Sequence, residues 1–295
     1  MAYTPVAAGL AAAFCWGTAD YMSRSQSQRI GYYKTVVYSH IVTLVALLAL
    51  IPVIAPNIQF PVSPTLILVG AGCVNFAAFI FLYRAYHLGE VSVVAPVAYT
   101  YPATTTVLSV LILGSVLSSS QIVSICGILL GVILLSTRFS DLYKFLRGRG
   151  APNLTRGVSS AAGSSLLFGT VYIGIGYTAP IVSVVLPVLI LRIVAIVAGF
   201  LLAPLFHQSL RPSLRVFSSR IVAMGVLEAF GFLFFTYGLS AAGQSLPIVT
   251  AVSSMGGAVG ASYGLAFLRE RLEPNQMIGV FLSLLGIFTL LYFGG

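Results

Sequence analysis

The segment Arg138–Arg156 reads RFSDLYKFLRGRGAPNLTR and is the one long polar stretch in a chain of 295 residues. Its charges, glycines and proline are typical of a connecting loop, and it lies close to the middle of the sequence. On either side the chain is apolar, since 58% of all residues are hydrophobic and 7% are charged. A water-soluble domain carries about a quarter charged residues, so this composition indicates a membrane protein divided into two halves.

Ten apolar runs follow one another along the chain, each near the roughly 20 residues that a membrane-spanning helix needs. They are expected at 3–23, 34–54, 64–87, 91–114, 119–137, 158–177, 180–205, 219–241, 244–268 and 274–293. The fold class predicted is therefore an all-α membrane protein with ten transmembrane helices. Its parts are a first five-helix repeat at 1–137, a basic connecting loop at 138–157 and a second five-helix repeat at 158–295.

The two halves align with each other when the second is shifted by about 152 to 155 residues. The pairs that follow in order include Trp16 with Phe168, His40 with Arg192, Asn75 with Glu228, and Gln121 with Gln276. Two homologous halves with an odd number of spans must lie in opposite orientations in the membrane. The sequence thus predicts a 5+5 inverted repeat, an architecture that suits alternating access.

The basic residues predict the orientation of the chain, because Lys and Arg in short loops mark the cytoplasmic side. Nearly all of the 15 Lys and Arg residues follow odd-numbered predicted helices, whereas the even-numbered connections and both ends of the chain have none. We therefore expect a multi-pass protein of the cell membrane with cytoplasmic odd-numbered loops and both termini outside. This topology explains the formal charge of +9, so no nucleic-acid partner is expected.

The sequence lacks the motifs of several kinds of chemistry. Cys15, Cys73 and Cys126 all lie in apolar runs, so neither a disulfide framework nor a CxxC metal site is expected. The chain has no GxxxxGK[ST] nucleotide motif and no HExxH motif. No cofactor, no metal and no enzymatic activity are expected.

Four of the polar residues inside the predicted helices form two repeat-related pairs, in a region where an ionisable group costs about 2.5 to 3.5 kcal/mol on insertion scales. Glu228 and Arg192 are near the middles of predicted helices 8 and 7, and Asn75 and His40 occupy the repeat-equivalent positions. Glu228 is expected to bind a substrate amine or a coupling proton, or else to form a lasting ion pair with Arg192. Arg192 is a candidate to bind a substrate carboxylate or to brace helix packing, and His40 to relay protons or to be a satisfied interfacial histidine.

Predicted helix 1 carries Trp16 and Asp20, which are four residues apart and therefore share a face. Together they offer a cavity an aromatic wall and a carboxylate. The alternative is that Asp20 forms a salt bridge with Arg24 or with a cation of a loop.

Predicted helices 4 and 9 are repeat counterparts. Tyr99 and Tyr101 lie in helix 4 close to prolines, which a membrane helix tolerates only where protein or a cavity satisfies the freed carbonyls. Ser253 and Ser254 are the candidates in helix 9 to face the same cavity. The glycines that follow them, Gly256, Gly260 and Gly264, are expected to let helices approach closely.

The whole chain resembles the drug/metabolite transporter superfamily, and within it the EamA-type carriers. The residues that carry this similarity are Trp16-Gly17, Leu88-Gly89, Arg192, Leu239-Ser240-Ala241, and Glu270-Arg271-Leu272 followed by Gln276 and Gly279. The resemblance implies a ten-helix inverted-repeat carrier, commonly an exporter of amino acids or other small metabolites. It also implies a central cavity lined mainly by helices 1, 3, 4, 6, 8 and 9.

We therefore expect a secondary active transporter that exports a small metabolite such as an amino acid by alternating access, with proton coupling through Glu228 and His40. The alternative is an exporter of lipophilic or quaternary cations, held in an aromatic cage beside Glu228. The candidate substrate-binding residues are Trp16, Asp20, Asn75, Tyr99, Tyr101, Arg192, Glu228, Ser253 and Ser254. Besides the substrate, membrane lipids are the expected partners, and the protein is expected to be a monomer or a homodimer.

Overall fold

A computed structural model describes residues 3–113, 118–136, 155–210, 217–241 and 246–293. Within these ranges the chain is all-helical, as predicted, and contains no strand. Its helices are α1 (Tyr3–Ile30), α2 (Tyr32–Ile54), α3 (Val62–Leu88), α4 (Val91–Ala98), α5 (Tyr101–Leu113), α6 (Ser119–Ser136), α7 (Val158–Thr178), α8 (Val185–Leu202), α9 (Ser219–Ala241), α10 (Leu246–Ser253), α11 (Gly256–Phe267) and α12 (Pro274–Phe293). By length and composition, α2, α3, α7, α8 and α9 qualify to cross a membrane. The total of ten spans stays a prediction.

Predicted helices 4 and 9 are each split in two, so the expectation of one continuous helix at these places is wrong. The first break separates α4 from α5. Pro102 accounts for it, because proline lacks an amide N–H and its ring clashes with the carbonyl one turn earlier. The second break separates α10 from α11. Here the hydroxyls of Ser253 and Ser254 donate to the carbonyls of Thr250 and Ala251, at 3.0 and 2.6 Å, and compete with the helical ladder.

The two breaks lie against each other. A Cβ atom added to Gly257 would lie 2.9 Å from Tyr99 Cβ, and one added to Gly256 would lie 2.6 Å from the Tyr99 ring. Close to the same place, the hydroxyls of Tyr101 and Ser253 are 2.7 Å apart and form a hydrogen bond. Only glycine fits beside Tyr99, which confirms the predicted close packing at Gly256 and joins the two halves through their split helices.

The last helices of the two halves, α6 and α12, also pack closely. A Cβ atom at Gly131 would lie 2.7 Å from the carbonyl oxygen of Gly279, and one at Gly286 would lie 2.7 Å from Ile128 Cγ1. The hydroxyl of Ser124 donates to that of Thr289 at 2.9 Å, so a hydrogen bond supplements the contact. Small residues and interhelical hydrogen bonds are typical of helix association in lipid.

Helix α1 is longer than predicted. The sequence places its end at residue 23, but the helix continues to Ile30 and includes Arg24 and Arg29. No proline or glycine interrupts this polar extension before Gly31, whose φ of 88° favours glycine and separates α1 from α2. The polar residues after position 23 therefore end the predicted membrane span, but the helix itself continues through them.

Connections that follow odd-numbered predicted helices meet at one end of the molecule. Near the end of α1, Gln26 Oε1 accepts a hydrogen bond from Ser218 Oγ at 3.0 Å, and the backbone carbonyl of Ser27 lies 2.8 Å from His87 Nδ1. At the same end, Arg24 forms an ion pair with Glu270. Residues 137–154 of the basic connecting loop and residues 211–216 lie outside the described ranges.

Candidate functional site

A central cavity of about 30 Å³ lies between the two halves. Its walls come from α1, α3, α7, α9 and the break between α4 and α5. The lining residues are Trp16, Ala19, Asp20, Phe79, Leu82, Ala98, Tyr99, Tyr101, Phe168, Tyr172, Glu228 and Phe232. The lining residues come from five of the six helices that the family resemblance implies. The sixth, predicted helix 9, corresponds to α10 and α11 and contributes no lining residue.

Glu228 anchors one side of the cavity, where its side chain is 2% exposed. One carboxylate oxygen accepts a hydrogen bond from the hydroxyl of Tyr83. The other lies 3.3 Å from His40 Nδ1, 3.9 Å from Arg192 Nη2 and 3.4 Å from the hydroxyl of Thr43. Both oxygens are thus engaged by protein groups, and the ion pair between Glu228 and Arg192 that the sequence offered as an alternative is present.

Arg192 is fully buried and lies behind Glu228, outside the cavity wall. Its guanidinium carbon is 4.9 Å from the ring centre of Phe79 and 4.5 Å from that of Phe232. Its Nη1 atom lies 3.1 and 2.9 Å from the two ring nitrogens of His40. Two aromatic faces and one carboxylate therefore stabilise this cation in the core, where an isolated charge would be very costly.

Asp20 provides the second carboxylate of the cavity and is held quite differently. Its side chain is buried, and among the described residues its Oδ2 atom has no hydrogen-bond partner. The phenol groups of Tyr86 and Tyr99 lie close to this carboxylate, and the Tyr86 hydroxyl is likewise without a hydrogen-bond partner among the described residues. Arg24, which the sequence offered as a salt-bridge partner for Asp20, pairs with Glu270 instead. The expectation of an Asp20–Arg24 pair is not met, although the two residues are one turn apart on α1, because Glu270 engages the Arg24 guanidinium.

An aromatic wall surrounds the two carboxylates. The ring centres of Trp16 and Tyr172 are 6.1 Å apart with nearly parallel planes, and those of Tyr101 and Tyr172 are 4.7 Å apart. Trp16 also packs edge-on against Phe232 at 4.9 Å. Aromatic faces and carboxylates together form a surface that suits a cation with an apolar body.

The structure brings five of the predicted residues into the cavity wall, namely Trp16, Asp20, Tyr99, Tyr101 and Glu228. Arg192 and His40 lie directly behind Glu228, and Ser253 lies behind Tyr101. Ser254 donates to a backbone carbonyl in α10. Asn75 is fully buried away from the lining, and neither atom of its amide has a hydrogen-bond partner in the described part of the chain. The structure does not bring Ser254 and Asn75 to the cavity.

The sequence analysis did not identify the tyrosines that lie beside the two carboxylates, nor the aromatic rings that complete the cavity wall. Phe79, Tyr83 and Tyr86 follow one another at helical spacing along α3, so they share a face toward the core. That helical spacing could have identified these three residues from the sequence. Phe168 and Tyr172 repeat it on α7, and no His, Cys, Asp or Glu group among the described residues could hold a metal ion.

Apolar helices and large apolar side chains on the outside, such as Leu111 and Phe281 at 74% and 65% exposure, indicate a multi-pass membrane protein. The model of the EamA-like transporter family matches residues 4–137 and again residues 155–292. The chain therefore belongs to the EamA-like transporter family, within the drug/metabolite transporter superfamily.

A solved crystal structure of another protein is similar over 97% of this chain and 96% of its own length, with a TM-score of 0.65. The two sequences are 16% identical, so the likeness shows the fold alone. No curated protein matches the sequence.

Proposed function

We propose that this protein is a secondary carrier that exports a small metabolite with a positively charged amine and a largely apolar body. The composition of the cavity wall carries this proposal. The wall contains two carboxylates, Asp20 and Glu228, together with seven aromatic residues, and none of its residues is Lys, Arg or His. Cations are attracted both to carboxylates and to aromatic faces, whereas such a wall repels an anion.

The carrier would work by alternating access in a 5+5 inverted repeat of ten spans. The cavity lies between the halves, and the contact of Tyr99 with Gly256 and Gly257 places the two helix breaks together. Split helices beside a central site are typical of inverted-repeat transporters. Rocking of one half against the other about these breaks would open the cavity to each side in turn. The basic connections would face the cytoplasm and both termini the outside.

Proton coupling is proposed for the group around Glu228. His40 Nδ1 lies 3.3 Å from Glu228 Oε2, close enough for a proton to be shared between the two side chains. Tyr83 and Arg192 contact the same carboxylate, so a change in its charge would alter three contacts at once. An ionisable group inside a membrane protein is a common element of proton relays.

Two classes of substrate are compatible with this wall. A zwitterionic amino acid would need a cation for its carboxylate, and Arg192 stands 3.9 Å behind Glu228. A lipophilic or quaternary cation would need only the carboxylates and the aromatic rings. Arg192→Gln separates the two, because export of an amino acid would be lost while transport of a simple cation would persist in protein that remains folded.

The test is transport into proteoliposomes of a labelled panel of amino acids, amines, quaternary cations and nucleobases under an imposed pH gradient. We expect cationic amines or amino acids to accumulate in wild-type vesicles and nucleobases to be excluded. Glu228→Gln should abolish the pH-driven part and leave substrate exchange. If no cationic compound moves, the proposed function is wrong; if Glu228→Gln keeps its response to pH, only the coupling site is wrong.

A further inference from the structure

The two carboxylates of the cavity differ in the hydrogen-bond partners and counter-charges that the protein gives them. Both oxygens of Glu228 are engaged, and Arg192 supplies a positive charge. The groups that act on Asp20 are the phenols of Tyr99 and Tyr86 and the carboxylate of Glu228, none of which is a cation, and its Oδ2 atom has no hydrogen-bond partner in the described part of the chain. A buried polar atom without a partner is destabilising, and more so when it is charged, so such an atom needs an explanation.

We propose that Asp20 binds the positive end of the substrate, and that it selects a protonated primary amine over a quaternary ammonium ion. This rests on the proposed function and names the group that recognises the substrate. Glu228 is the fixed member of the pair, because a second cation at this carboxylate would compete with Arg192. Asp20 is free of such competition, since a substrate ammonium group would be its first positively charged partner.

The surroundings of Asp20 fit an ammonium group. Trp16 lies one turn earlier on the same face of α1, and both residues line the cavity. Tyr99 lines it as well and has its phenol group near the carboxylate. A carboxylate, the Trp16 ring and the Tyr99 phenol thus line the same cavity, and carboxylates and aromatic side chains both attract ammonium groups in proteins.

The unpartnered Oδ2 atom decides which ammonium group fits best. A protonated primary amine has three N–H donors and can give one to this oxygen, whereas a quaternary ammonium ion has none and leaves it unpartnered. A hydrogen bond to a charged group contributes about 1.5 to 3 kcal/mol, which corresponds to about a 10-fold to 150-fold difference in affinity. The aromatic walls attract both ions and do not discriminate between them in this way.

The chain contains one tryptophan, Trp16, and it lines the cavity, so its fluorescence reports binding directly. The probes are phenethylamine and its N,N,N-trimethyl derivative, titrated against the full-length purified protein. The wild type should bind phenethylamine at least about 10-fold more tightly than the trimethyl derivative. Asp20→Asn should weaken phenethylamine and bring the two affinities within roughly threefold. Asp20→Glu, which keeps the carboxylate, should retain the preference.

Glu90→Gln is the matched control, because it removes one negative charge from a residue that does not line the cavity. It should bind both probes as the wild type does. A wild-type protein without preference, or an Asp20→Asn variant that keeps it, overturns the assignment to Asp20. The wild-type comparison holds even if a variant fails to fold. If the wild type transports other cationic amines while failing this test, only the inference is wrong; if it neither binds nor transports any cation, the proposed function is wrong.

Discussion

Arg192 and Glu228 face each other in the core with 3.9 Å between Nη2 and Oε2, and neither side chain is more than 2% exposed. Each is the main counter-charge of the other, so removing one leaves an uncompensated charge in the interior. Breaking a buried pair in this way costs about 3 to 5 kcal/mol. We expect Glu228→Gln and Arg192→Gln each to lower thermal stability strongly.

The double variant Glu228→Gln/Arg192→Gln is the matched control for that prediction. It removes both charges, so its thermal stability should lie well above that of the less stable single variant. Additive losses in the double variant would mean that the two side chains are stabilised independently of each other. Thermal unfolding in detergent, followed by fluorescence, measures all four proteins.

Tyr83→Phe should impair coupling more than binding. It removes the hydroxyl that donates to Glu228 but keeps the ring, and Tyr83 does not line the cavity. A lost hydrogen bond to a charged group costs about 1.5 to 3 kcal/mol, so the carboxylate should change its response to pH. Transport measured across a range of pH should shift its profile, with little change in substrate affinity. An unchanged profile would show that this hydrogen bond has no part in coupling.

Gly257→Ala should destabilise the junction of the two halves. The added Cβ would lie 2.9 Å from Tyr99 Cβ, which the backbone holds in place, so the backbone must move, and overpacking of this kind costs about 1 to 3 kcal/mol. Gly70→Ala is the control, because a Cβ atom there has no neighbour within 4 Å. Thermal unfolding should separate the two variants. Equal stability would place the ring of Tyr99 elsewhere in solution.

Glu270 should be coupled energetically to Arg24. Its side chain is 4% exposed, pairs with Arg24 and accepts hydrogen bonds from the amide groups of Val91 and Ser92 at 3.1 and 2.8 Å. Glu270→Gln should therefore lower stability by about 1 to 3 kcal/mol. A double-mutant cycle with Arg24→Gln should give a coupling energy above about 0.5 kcal/mol. Additive effects within error would show that the pair contributes nothing.

The orientation can be checked with tags at the two ends of the chain. Basic odd-numbered loops predict both termini outside, so an amino-terminal or carboxy-terminal epitope should be accessible on intact cells to a reagent that cannot cross the membrane. A cysteine at position 29 in a cysteine-free variant should react only after the membrane is permeabilised. The opposite pattern would show that the charge distribution does not set the orientation of this chain.

The sequence identified several residues of the cavity wall, because polar and aromatic residues stand out in apolar helices. Trp16, Asp20, Tyr99, Tyr101 and Glu228 all line the cavity, and Arg192 lies beside Glu228. Their cost in a membrane interior is a physical reason that a single sequence already reveals.

What the sequence could not predict includes the depth of each side chain along its helix. Asn75 occupies the repeat-equivalent position of Glu228 and shares a face of α3 with Phe79 and Leu82, one and two turns later, but only Phe79 and Leu82 line the cavity. The first helix break has Pro102 as a signal, whereas the second depends on Ser253 and Ser254 hydrogen bonds that compete with an otherwise regular helix. Neither the depth of a residue along its helix nor hydroxyl geometry follows from composition.

The carboxylate of Glu270 has a consequence for the order in which the protein matures. It accepts hydrogen bonds from Val91 and Ser92 at the beginning of α4, although 179 and 178 residues separate the partners in the chain. During synthesis the ribosome delivers α4 long before it delivers this acceptor. The amino-terminal half therefore emerges with one helix start incomplete and acquires its final capping group from the other half, so the two repeats mature as one unit.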